Sequence, residues 1–73
     1  MDPREAAIRV LRDHPGEQLH WTVIFDRALK AGYIDPFTQP DARDALVAAL
    51  ADEARAGRVN KTSKGTYSVN EAG

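Results

Sequence analysis

Glycine and proline cut this chain into pieces too short for anything but a small bundle of elements. The breaks fall at His14-Pro15-Gly16, Gly32, Pro36, Pro40, Gly57 and Gly65. Proline removes a backbone donor and fixes φ, and glycine takes the positive φ that other residues avoid. Three stretches between these breaks carry helical periodicity, and the last stretch alternates as strands do. The chain has 73 residues. One of that size buries only about 60% of the surface its unfolded form exposes, so it builds one thin core. The chain therefore reads as a single domain over residues 1–73, ordered over about 3–69 with a flexible tail at 70–73, and without a deep enzymatic cleft.

The first helix is predicted over Pro3–Asp13, with Asp2 as its cap and Pro3 in its first turn. Ala7, Val10 and Leu11, with Ile8 beside them, form its apolar stripe. Glu5 and Arg9 stand in the favourable i,i+4 order. Leu19 reads as buried in a brief strand or extended link. A second helix runs from Trp21 or Thr22 to Ala31, with Ile24, Ala28 and Leu29 inward and Phe25 at the margin. Asp26 and Lys30 make another i,i+4 pair, and Gly32 closes the helix.

Residues 33–40 read as a loop that Tyr33, Ile34 and Phe37 tuck onto the core. Either Thr38 with Asp41, or Gln39 with Pro40, opens the third helix. That alanine-rich helix is expected from about Pro40 to Ala56, with Leu46, Val47, Leu50 and Ala54 as its core stripe. A hairpin follows: Val59 is the inward residue of its first strand, Tyr67 and Val69 those of the second. Lys64-Gly65 forms the turn. A lone hairpin is marginal in water, so it must lie against the helices.

Helix, short strand, helix, helix, hairpin is the order of a winged helix-turn-helix: an α+β domain of three helices with a C-terminal two-stranded wing and a short strand near Leu19. The stretch "AAIRVLRDHPGEQLHWTVIFDRALKAGYI", a further helix, and then "GRVNKTSKGTYSV" resemble the HARE-HTH winged-helix group. The carrying residues are Leu19-His20-Trp21, then Ile24, Ala28, Leu29 and Gly32, and the closing Gly65 and Tyr67. The likeness spans about residues 5 to 69. That group includes the N-terminal domain of the bacterial RNA polymerase delta subunit and domains attached to restriction endonucleases. The resemblance implies a nucleic-acid-binding or transcription-related role, and fold likeness alone does not choose between them.

The charge pattern sharpens that expectation. The whole chain carries −1, which argues against indiscriminate polyanion binding. Residues 57–73 nevertheless sum to +2, from Arg58, Lys61 and Lys64 against Glu71. Arg58, Lys61 and Lys64, with the neutral donors Asn60, Thr62 and Ser63, are the candidate phosphate contacts. Three such contacts give a weak grip, with a log–log salt slope of about −3. Gln39 and Arg43, with Thr38, are the base-contact candidates at the start of the third helix.

The outward face of that helix is less suited to a groove. Asp41, Asp44, Ala48, Asp52 and Arg55 share it, for a net charge of −2. Aspartates facing phosphates are repelled, so the other reading is a protein-interaction module, an accessory subunit or dimerising domain. Asp41, Asp44, Asp52 and Trp21 are its candidate contacts. The expected partner is thus duplex DNA, held weakly and salt-sensitively, or a protein such as a transcription or polymerase component.

Other chemistries find little footing. The chain has no cysteine, which excludes disulfides and thiolate chemistry. His14 and His20 lack a third ligand at helical spacing. No P-loop, Gly-rich dinucleotide fingerprint or HExxH motif appears. No enzymatic role, cofactor, metal or small-molecule ligand is expected. The longest apolar runs are too short to span a membrane, and residues 1–10 are charged early, so a cytoplasmic location is expected.

Overall fold

Proline at the first turn and the His14-Pro15-Gly16 stop leave the N-terminal stretch one way to be regular. Helix α1 spans Pro3–Asp13 as its sequence predicts. The structure, a computed structural model, describes residues 1–70. After α1 come strand β1 (Leu19–His20), helix α2 (Trp21–Lys30), helix α3 (Ala42–Arg55), and strands β2 (Asn60–Ser63) and β3 (Thr66–Ser68). The protein is α+β, with three helices and one three-stranded antiparallel sheet in the order β1-β3-β2.

The two residues of β1 thereby gain a role that their length hid. Leu19 pairs with Tyr67 and His20 with Thr66. Backbone bonds extend the attachment on both sides: Gly16 N–H donates to the Val69 carbonyl (2.9 Å), and Trp21 N–H to the Gly65 carbonyl (2.8 Å). The hairpin is thus tied to the loop before α2 and to the start of α2 itself. Lys61 pairs with Tyr67 and Ser63 with Thr66, which leaves Thr62 as the extra residue of a bulge.

Ala6, Ala7, Val10 and Leu11 of α1, Ile24 and Ala28 of α2, and Ala42, Leu46 and Leu50 of α3 form the core. Leu19, Ile34, Val59 and Tyr67 close it from the sheet and loops. Val47 and Ala54, expected on the α3 stripe, lie at its margin, as do Phe25, Leu29 and Val69. Helix α3 lies chiefly along α1. The small side chains of Ala6, Ala7, Ala42 and Ala49 at their buried faces leave room for that approach.

Both later helices end in one motif. Tyr33 N–H donates to the Ala28 carbonyl and Gly32 N–H to that of Leu29; Arg58 and Gly57 repeat the pattern with Glu53 and Ala54. These are Schellman ends, with glycine in the left-handed position.

Several local expectations are corrected. Asp2 stands at the cap of α1 but makes no side-chain capping bond. Arg9 turns from Glu5 to Asp13 (4.0 Å) and over the Tyr33 ring. Helix α3 begins at Ala42, and neither Thr38 nor Gln39 caps it. Both are drawn into the preceding loop, where Thr38 Oγ1 donates to the Asp35 carbonyl and Gln39 Oε1 accepts from Asp35 N–H. Phe37 does not tuck onto the core: it is 95% exposed. Of the tail expected to be flexible, Asn70 accepts a hydrogen bond from Asn60 (2.8 Å), and residues 71–73 lie outside the described residues. Among the described residues no helix is long and apolar enough to cross a membrane.

Candidate nucleic-acid interface

Strand β2 has only β3 as a neighbour, so it forms one edge of the sheet. All four of its residues, Asn60, Lys61, Thr62 and Ser63, are exposed, as is Lys64 at the turn. Lys61 and Lys64 have no carboxylate partner among the described residues. Lysines on an edge strand discourage edge-to-edge pairing, and here they also leave two uncompensated cations on one short hairpin.

The turn is seated rather than projecting. Gly65 has φ +74, and a Cβ built on it would meet His20 Nε2 at 2.8 Å and Trp21 Cδ1 at 3.2 Å. His20 in turn caps α2: its Nδ1 accepts from Thr22 N–H (3.3 Å) and lies 2.8 Å from Thr22 Oγ1. The His20 and Trp21 rings lie 5.7 Å apart, tilted by 35°. The hairpin tip, the first turn of α2 and the Trp21 ring are thus one assembly.

The root of the hairpin shows what charge counting misses. Arg58 does not stand free; its Nε donates to Glu53 Oε2. Glu53 is only 3% exposed and also receives Arg4 Nη1 at 2.9 Å on Oε1. Hydrogen bonds from Arg58 and Arg4 hold the Glu53 carboxyl below the usual glutamate range, against the opposing effect of desolvation. Arg4 also reaches Asp52 (3.3 Å), which Arg55 contacts from the other side. Three arginines thus meet two carboxylates, a local sum of +1. The Arg58 side chain remains 63% exposed, so pairing does not remove it from the surface.

The α3 face is accordingly less acidic than its sequence implies. Asp52 is shared by two arginines, and Asp44 lies 3.8 Å from Arg43. Of the three aspartates only Asp41 lacks an ion-pair partner among the described residues. Arg43 and Asp44 line a groove with Trp21, Val47 and Ala48. Trp21 is half-buried, its ring packed on the core yet reaching this groove.

Of the candidate contacts, the fold gathers Asn60, Lys61, Thr62, Ser63 and Lys64 on the hairpin, with Arg58 at its root. Arg43 stands apart on α3 beside Trp21. Gln39 is withdrawn, its Nε2 donating to the Met1 carbonyl (2.8 Å). His14 pairs with Glu17 (3.0 Å). Glu53, Arg4 and Phe37 were not foreseen. Spacing alone pointed at Glu53, which lies seven residues after Leu46 and three after Leu50, on the buried stripe. Comparison with protein-family models, with curated proteins and with solved structures returns no match.

Proposed function

We propose that this chain is a winged-helix nucleic-acid-binding domain that holds duplex DNA weakly through its phosphates, in a transcription-related role. The β1-β3-β2 sheet with a hairpin following α3 supports the winged-helix reading. The observation that carries the binding reading is the contrast in charge pairing. Lys61 and Lys64 are uncompensated among the described residues, while two of the three α3 aspartates face arginines. The hairpin attracts phosphates, and the helix beside it repels them less than its composition suggests.

Phosphate contacts supply position and affinity rather than sequence readout. Two lysines give a log–log salt slope of about −2, and Arg58 swung from Glu53 to a phosphate would raise it toward −3. Such binding is non-specific, with a Kd in the region of about 10⁻⁴ to 10⁻⁶ M at physiological salt. The alternative of a basic protein partner on Asp41, Asp44 and Asp52 is left with Asp41 as its one unpaired carboxylate among the described residues. Fluorescence anisotropy of a labelled duplex across a salt series tests the proposal. Lys61→Gln and Lys64→Gln should each lower the slope by about one. A slope unchanged in both variants would remove the hairpin from the interface.

A further inference from the structure

Arg12, in the last turn of α1, is exposed and has no ion-pair partner among the described residues. With Pro15, Arg58, Val69 and Asn70 it lines a groove between the end of α1 and the root of the hairpin. No carboxylate among the described residues lines this groove. The acids nearest Arg12 in sequence face other groups. Asp13 takes Arg9 and the Tyr33 hydroxyl (2.7 Å), and Glu17 pairs with His14 (3.0 Å).

Three of the lining residues are held by bonds to other parts of the fold. The Val69 carbonyl accepts from Gly16 N–H (2.9 Å). Asn70 Oδ1 accepts from Asn60 Nδ2 (2.8 Å), which leaves the Asn70 Nδ2 as a donor without a partner among the described residues. Arg58 donates from Nε to the buried Glu53 and makes no other side-chain hydrogen bond among them, so Nη1 and Nη2 are open. A guanidinium ordered in advance loses less freedom on binding, and its fork matches phosphate oxygens. Glu53 does not cancel it. The network of Arg4, Arg55 and Arg58 with Asp52 and Glu53 sums to +1, and Arg12 brings the surroundings of the groove to +2. The carbonyl end of α1 opposes an anion here, an effect smaller than one charge-assisted hydrogen bond.

We infer that this groove seats a phosphate group, clamped between Arg12 and the terminal nitrogens of Arg58, with the Asn70 amide as a third donor. The groove holds about 470 Å³, room for a phosphate and part of what carries it, with Pro15 and Val69 as apolar walls. A small phosphate and a nucleic-acid backbone both present that group. Lys61 and Lys64 do not line the seat. The inference is therefore independent of duplex binding by the hairpin and holds for a protein that binds none.

An NMR titration with inorganic pyrophosphate at constant ionic strength tests it, reading the arginine Nε–H and asparagine side-chain signals. Shifts should saturate at Arg12, Arg58 and Asn70 with a Kd of about 1 mM, the affinity of two or three charge-assisted hydrogen bonds. Arg12→Gln lies at an exposed position, so circular dichroism should show it folded. Its response at Arg58 should weaken by about tenfold. Lys61→Gln and Lys64→Gln combined should leave the response unchanged. A short duplex added to that double variant separates the sources. Shifts at the same three side chains assign the phosphate to a nucleic-acid backbone; a duplex silent there, beside a pyrophosphate response, assigns it to a small phosphate. No saturating shifts in wild type up to about 20 mM pyrophosphate, well above that Kd, would overturn the inference. So would an undiminished response in Arg12→Gln, or its loss with the two lysines.

Discussion

Replacing Gly65 by alanine should separate two demands that the hairpin turn makes on one residue. The first is conformational: φ is +74, where an L side chain costs about 1–2 kcal/mol. Part of that is offset, by somewhat under 1 kcal/mol, because alanine restricts the unfolded chain. The second is steric. The new Cβ would lie 2.8 Å from His20 Nε2 and 3.2 Å from Trp21 Cδ1. The imidazole is exposed and free to swing away, but swinging breaks its cap on Thr22 N–H, worth about 1 kcal/mol. The total comes to about 2 kcal/mol. Gly32 supplies the control. Its φ is +79 and nothing lies within 4 Å of an added Cβ, so Gly32→Ala should cost only the conformational part, about 1 kcal/mol. Urea denaturation reads the difference. With an m-value of about 1 kcal/mol/M, the two midpoints should differ by about 1 M. His20→Ala should also destabilise wild type by about 1 kcal/mol, yet add little to Gly65→Ala, whose cap is already lost. Equal midpoints for the two glycine variants, or full additivity with His20→Ala, would refute the packed turn.

Further outcomes follow from the same contacts. Glu53→Gln should flatten the acid limb of the stability curve. Arg58 and Arg4 lower the folded pKa of Glu53, so its contribution is complete above the ordinary glutamate range and is lost as pH falls toward the lowered value. Thermal melts across acidic pH would show this, and equal acid sensitivity in both proteins would contradict it. The Tyr33 phenol, held protonated chiefly by its hydrogen bond to Asp13, should ionise above the usual tyrosine range. Its stabilisation is present at lower pH and lost as pH rises through the raised value; Asp13→Asn should return its ultraviolet titration toward the ordinary range. Leu50→Ala in the fully buried core should cost about 3 kcal/mol, and Phe37→Ala less than about 0.5 kcal/mol, by chemical denaturation.

The elements of this fold were legible because their boundaries are local chemistry. Pro3 and His14-Pro15-Gly16 delimit α1, and Gly32 and Gly57 end α2 and α3 through backbone bonds within a few residues. Lys64-Gly65 places the turn. What sequence reading missed depends on residues far apart in the chain. Arg58 looked like a free cation because its partner Glu53 appears as one more acid on an acidic helix. Only the packing of α1 on α3 brings Arg4, 49 residues away, to the same carboxylate. Gln39 looked like a base-contact candidate until Asp35 and Met1 claimed its amide. Phe37 looked like core because phenylalanine usually is. Hydropathy cannot show that the loop around Asp35 turns the ring outward.

The proposed binding places most of the grip on nucleic acid in the hairpin rather than in α3. An NMR titration of the labelled protein with a generic DNA duplex, at low and then at moderate salt, addresses it most directly. Amide shifts should concentrate over residues 58–66, with weaker ones near Arg43, and both should fade as salt rises. No shifts even at low salt, or shifts along the α3 face with the hairpin silent, would contradict it.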